Sequence, residues 1–185
     1  MPPTIPPENK HGPHDMFRGR VFVGDAIAAR DSALLGQFRI ARILDLSGGP
    51  EYATAEGTAR VAVAIEDRVD ASIVDAMAAS SMLEAIDEAV RADAPILVHC
   101  AVGASRSASV VIAWLMKRER MTLARALNHC KARRNAVRPN NGFFRELRAL
   151  DVELNGADSM PLESIEYSQW CLQNPRGTKA GCVVS

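Results

Sequence analysis

The run ILVHCAVGASRSASVVIAWLM, residues 96–116, constrains this chain more than any other. Two apolar stretches flank a cysteine and an arginine set six positions apart, and the residues between them, Ala101, Val102, Gly103, Ala104 and Ser105, are small. Its first part, APILVHC, is almost wholly apolar and reads as a strand buried on both faces of a parallel sheet. Its last part, 107–119, is helical in composition and apolar nearly all round, so it belongs in the core. A buried strand, a tight turn and a buried helix together build an anion site. The N–H groups of a Gly/Ala/Ser loop can all turn inward, and the helix N-terminus adds partial positive charge.

That arrangement assigns chemistry to particular side chains. Cys100 at the mouth of a phosphate-sized site is held as thiolate by N–H dipoles and by Arg106, which makes it a nucleophile near neutral pH. Arg106 offers a planar, permanently charged fork that grips two oxygens at once, as a lysine would not. Ser107 is placed to donate to the cysteine sulfur. His99 either orients the loop or is a hydrogen-bonded core histidine at a strand end. The bare C-x5-R spacing is weak evidence alone, and the strand–loop–helix context is what strengthens it.

The rest of the chain supplies a frame of alternating strands and helices, hence an α/β fold. RVFVGD at 20–25, IARILDLS at 40–47 and ARVAVAI at 59–65 read as strands. Residues 70–93 carry Ile73, Met77, Met82, Ile86 and Val90 and predict one long amphipathic helix. TLARALNHCKARR, with Thr122 as N-cap, and NGFFRELRALDVEL predict two more. A further short helix over SMPLESIEYSQWCL would pack Ile165 and Trp170 on the body.

With 185 residues the chain suits one core, read as a Pro-rich flexible leader over 1–16, a domain over 17–155 and a tail over 156–185. Twenty-two basic and 22 acidic side chains cancel, so no nucleic-acid partner is expected. The basic residues at 117–120 and 131–138 either attract an acidic phosphopeptide or, as the more ordinary reading, are solvated helix faces. Four scattered cysteines form neither a disulfide framework nor the paired spacing of a zinc site, and a reducing compartment follows.

VHCAVGASRSASVVIAWLM resembles the signature of the dual-specificity protein tyrosine phosphatases, and RPNNGFFRELRALDVEL is similar to that family's P-N-x-G-F stretch and its following helix. The resemblance covers residues 17–155. It implies a mostly parallel central sheet of about five strands flanked by helices, and a two-step reaction through a cysteinyl phosphate with no metal and no cofactor. It also implies an aspartate as general acid on a loop well before the cysteine. Asp67 in VAIEDRVD matches, with Glu66 and Asp70 as competitors. Asn140 resembles a residue that buttresses the phosphate loop, or else it caps the last helix. Uncharged Ala101, Val102 and Ala104 disfavour a phosphoinositide, and Ser105 disfavours a glucan, so a phosphoprotein is the expected substrate.

The final CVVS, from Cys182, has the C-a-a-X form of a prenylation signal, with Ser favouring farnesyl. Arg176 and Lys179 give it slight basic support, and Cys171 is a weak candidate for a second acyl chain. Reversible membrane association of a cytoplasmic protein is the expectation.

Overall fold

A computed structural model describes residues 11–54 and 56–174. Five strands form one sheet in the order β1-β2-β5-β3-β4: β1 His14–Phe17, β2 Val21–Gly24, β3 Arg42–Asp45, β4 Ala59–Ala62 and β5 Ile96–His99. Only β1 runs antiparallel to its neighbour. The sheet therefore takes in His14, Asp15 and Met16, so the flexible leader expected over 1–16 does not extend to these three residues. Just one position of β1, Met16, is buried, so there is little periodicity to read. Its hairpin closes through Arg18 (φ 50°) and Gly19 (φ 68°), while Asp15 accepts from the N–H groups of Phe17 and Gly19 at 2.9 Å each.

The alternation of side chains sorts the core into two layers. Val21 and Val23, Leu44, Ile96 and Val98 enter a large cluster on one face. Phe22, Ile43 and Leu97 enter a smaller one on the other. The small layer is closed by a 3-10 turn at Ala28–Arg30 and by α1, Ser32–Gln37, whose N-cap Asp31 accepts from Ala33 and Leu34 at 3.0 Å each. The large layer is closed by α2 Ile73–Ala78, α3 Met82–Arg91, α4 Arg106–Glu119, α5 Leu123–Arg133, α6 Asn141–Asn155 and α7 Ser164–Gln173. Every position of α4 from Arg106 to Met116 is buried, so this helix is the spine of that layer.

The single helix expected over 70–93 is instead two. Met77 and Met82 are five apart, which falls out of the three-and-four step that keeps one stripe on the sheet. The break sits between them: the Ser80 hydroxyl donates back to the Ala76 carbonyl at 2.7 Å, and α3 restarts beyond Ser81. In α7 the buried face is Tyr167, Trp170 and Cys171, whereas Ile165 is 75% exposed. The capping box of Glu163 with Glu166 sets the helix start, and three-and-four spacing from Tyr167 then leaves Ile165 on the outer side. Cys171 is 6% exposed, which withdraws it as an acylation candidate. Among the described residues no helix is long and apolar enough to cross a membrane.

Candidate active site

Parallel strands end together, so β2, β3 and β5 deliver their carboxyl ends to one edge: Gly24 and Asp45 both pair with His99. The chain then turns through Cys100–Ser105 into the N-terminus of α4. What shapes this turn is the fate of its carbonyls. Ala101 O accepts from Ala26 N–H at 3.3 Å, Val102 O from Arg134 Nη2 at 2.9 Å, Gly103 O from Arg134 Nε at 2.9 Å, and Ala104 O from Arg138 N–H at 2.8 Å. Four successive carbonyls are thus tied outside the loop, which frees its N–H groups for the concave side. Gly103 has φ +69°, and a Cβ there would collide with the Gly24 carbonyl, so only glycine permits the close approach of loop to strand.

Cys100 is 1% exposed, yet its Sγ lies 3.4 Å from the Ser107 hydroxyl and 3.3 Å from the Gly103 N–H that donates to it. The effect of those donors is plain beside a second buried thiol. At Cys130 desolvation acts with only weak opposition and pushes the thiol up to about 12. At Cys100 burial also pushes upward, but the Ser107 side chain and N–H, the Gly103 N–H and the charge of Arg106 outweigh it and hold the thiol below its ordinary value.

Arg106, 8% exposed, is anchored by one end of its fork. Nη1 donates to the carbonyls of Leu46 (3.2 Å), Ser47 (2.8 Å) and Ile65 (3.1 Å), in the stretches that follow β3 and β4. Its Nε is buried and has no hydrogen-bond partner. A buried donor of a charged group is seldom left so, and an acceptor brought to it would recover the desolvation cost.

Asp67, Ser105 and Asn140 meet although they lie far apart in sequence. Asp67 Oδ1 accepts from the Ser105 hydroxyl at 2.7 Å and from Asn140 Nδ2 at 2.9 Å, and its Oδ2 is 3.6 Å from Arg106 Nε. Asn140 does several things together: Oδ1 caps α6 by accepting from Phe143 N–H at 2.9 Å, Nδ2 also reaches the Arg68 carbonyl at 3.2 Å, and its own N–H donates to Ser105 at 3.1 Å. Gly142, the glycine of the P-N-x-G-F match, lets the 66–70 loop pack on α6, because a Cβ there would overlap the Val69 carbonyl. The competing carboxylates face elsewhere. Asp70 and Glu66 lie 2.8 and 3.7 Å from Arg68, and Asp70, hydrogen-bonded by Arg68, is drawn down to about 2.

His99 is fully buried. Its Nε2 is 2.7 Å from the Tyr52 hydroxyl and 3.4 Å from Asp45, and Nδ1 is 3.3 Å from the Cys100 carbonyl. Burial holds it below its ordinary pKa despite Asp45, so it is a neutral brace behind the thiol. Tyr52 in turn lies between Arg30 and Arg60, whose guanidinium carbons are 4.8 and 4.6 Å from its ring centroid.

Some residues of this neighbourhood escaped the sequence reading. Tyr52 stands in a loop with no pattern around it. Arg134, and Lys131 with it, looked like a solvated basic face, but their side chains are 3% and 2% exposed respectively. Arg134 serves the loop carbonyls, with Asp25 Oδ2 at 3.6 Å behind it, and Lys131 donates to the Val137 carbonyl at 3.0 Å. Tyr167 stacks on Phe144 with centroids 3.7 Å apart and donates to the Pro139 carbonyl at 3.0 Å, next to Asn140. Cys182 and the CVVS stretch lie outside the described residues.

Residues 21–153 match the family model for the dual specificity phosphatase catalytic domain. The chain is 34% identical over 138 residues to dual specificity protein phosphatase 1 of Arabidopsis thaliana, covering 75% of this chain and 69% of that one. It is also 34% identical over 149 residues to dual specificity protein phosphatase 19 of Mus musculus, with 80% and 67% covered. Among solved structures, human DUSP28 superposes with a TM-score of 0.70 at 27% identity over 77% of this chain and 98% of that one. A mouse putative dual specificity phosphatase complexed with zinc tungstate gives 0.71 at 28% identity, covering 82% and 91%.

Proposed function

The chain belongs to the dual specificity phosphatase family and is a protein-tyrosine/dual-specificity phosphatase, and from that premise we propose that it hydrolyses phosphotyrosine and phosphoserine/threonine in proteins through a phosphoryl group carried on Cys100. In the first step the Cys100 thiolate attacks phosphorus as the ester P–O bond breaks, and Asp67 gives its proton to the leaving oxygen. In the second, Asp67, now a carboxylate, takes a proton from water. The water oxygen attacks phosphorus, the P–S bond breaks, and Ser107 donates to the departing sulfur. Orthophosphate leaves and the starting thiolate returns. The inward N–H groups of residues 101–106 and the Nε of Arg106 hold the non-bridging oxygens throughout.

The observation that carries this reading is the buried Nε of Arg106, which has no hydrogen bond and only the Asp67 carboxylate at 3.6 Å, on the same small loop whose donors lower the Cys100 thiol. Arg106 is the loop's sole cationic side chain, which favours a phosphate monoester on protein over a polyanionic phosphoinositide headgroup. A phosphoprotein-binding adaptor would have no use for Asp67 held opposite. The test is to quench the full chain during turnover of a phosphotyrosyl peptide and map the covalent phosphoryl group by mass spectrometry. An adduct on Cys100 and undiminished activity in excess chelator are expected; an adduct elsewhere, or activity abolished by chelator, would overturn the reading.

The same proposal includes farnesylation at Cys182, supported by the C-a-a-X form of CVVS alone, with the marginal, reversible membrane binding that one such chain provides. Labelled farnesyl diphosphate and farnesyltransferase should label the full chain and spare Cys182→Ser. Absence of label, or equal label on both, removes that part.

A further inference from the structure

We infer that an aliphatic rim around the phosphate loop reads the residues flanking the phosphorylated one, so that the preferred substrate is a phosphopeptide with uncharged, apolar neighbours. This deepens the phosphatase reading above and rests on it. Three of the large apolar side chains left exposed sit on segments that belong to the phosphate loop, are tied to it, or carry Asp67: Ile27 at 59%, Val69 at 52% and Val102 at 65%. Ile27 follows Ala26, whose N–H holds Ala101 of the phosphate loop at 3.3 Å. Val102 belongs to that loop. Val69 is in the loop bearing Asp67, and its backbone rests on Gly142 while its neighbour Arg68 is held through its carbonyl by Asn140.

Single exposed aliphatics are ordinary on a protein surface; what distinguishes these is that all three belong to loops converging on one reactive thiol. Several of the charges around them are already engaged. Arg68 is paired with Asp70 and Glu66, Asp67 is hydrogen-bonded by Ser105 and Asn140, and Arg134 and Asp25 are buried behind the loop. Arg138 is exposed, but its charge is felt at Lys131, Tyr167 and Cys171, toward α7. A substrate bringing leucine or valine beside its phosphoresidue buries apolar surface on this rim. One bringing glutamate or a second phosphate desolvates a charge, and two of the cations beside the rim, Arg68 and Arg134, already hold other partners.

Three substrates separate the possibilities when kcat/KM is measured on the full chain: a phosphotyrosyl peptide flanked by Leu and Val, the same peptide with Glu at those positions, and para-nitrophenyl phosphate, which fills only the cavity. Wild type should favour the apolar peptide over the acidic one by about tenfold, a selectivity of roughly 1.4 kcal/mol. Ile27→Glu should increase that discrimination against the acidic peptide, and Ile27→Lys should remove or reverse it, with para-nitrophenyl phosphate turned over within about twofold of wild type by both, a small change in transition-state binding. A wild type that treats the peptides alike or prefers the acidic one, or a preference unchanged in both variants, overturns this inference and leaves the phosphatase reading standing. Failure of wild type to hydrolyse para-nitrophenyl phosphate overturns both.

Discussion

Cys100→Ser is expected to lower kcat by on the order of 10^5- to 10^6-fold, the scale seen when a catalytic nucleophile is removed elsewhere, while phosphopeptide binding is retained. The two halves of that result have separate causes. The donors that lower the Cys100 thiol, from Ser107, Gly103 and Arg106, are enough to make a thiol reactive near neutral pH. An alcohol starts far too high for the same donors to make it an alkoxide. Binding is different, because the carbonyls of Ala101 to Ala104 are tied back by Ala26, Arg134 and Arg138 and not by the sulfur. The N–H cage and Arg106 therefore persist in the variant. Calorimetric titration of the variant with phosphopeptide should give a dissociation constant at or below the wild-type KM. Turnover within about a hundredfold of wild type, a loss general acid–base effects alone could cause, would exclude Cys100 as nucleophile.

Asp67→Asn should lower kcat by about 10^2- to 10^4-fold, the usual contribution of a positioned acid and base, and the loss should depend on the leaving group. Asparagine keeps a carbonyl oxygen where Oδ1 accepts from Ser105 and Asn140, so the loop stays seated. Only the transferable proton is lost. An aryl phosphate with an acidic phenol needs that proton little, whereas a phosphothreonine alkoxide cannot leave without it. The variant should thus lose far more activity on phosphothreonine peptide than on para-nitrophenyl phosphate. The rise of kcat/KM with pH, which follows ionisation of the lowered Cys100 thiol, should be kept in the variant. Equal losses on both substrates would move the acid to another group.

The dependence on Asn140 shows where local reading ends. Thr122 and Asn140 sit directly before helical runs, and each accepts from the N–H three residues on, a contact set by neighbours in sequence. The same Asn140 side chain meets Asp67, 73 positions away, and nothing in the spacing of either segment encodes that meeting. Arg134 makes the point more sharply. It follows a helix rich in basic residues and reads as solvated, yet it lies 31 positions from Gly103 and 120 from His14, both of which it contacts. A buried cation is tolerated there because the loop turns its carbonyls toward it, and those carbonyls are visible only after the chain has folded. The divided helix at Ser80 and the outward Ile165 are smaller cases, each set by a hydroxyl or carboxylate that competes with the regular backbone pattern.

By itself, then, the order of residues determined what local physics can dictate: a strand buried on both faces, a loop small enough to turn its N–H groups inward, a helix behind it that is apolar nearly all round, and a thiol and guanidinium six apart. Those follow from side-chain size and periodicity over about twenty consecutive residues. Only the tertiary structure decided which groups complete the loop. Arg134 and Tyr52 brace it, Asn140 and Ser105 seat Asp67 against it, and Tyr167 of α7 holds the backbone beside Asn140. Such pairings join segments that are remote along the chain, and their strength comes from burial that no single segment possesses before the layers have packed.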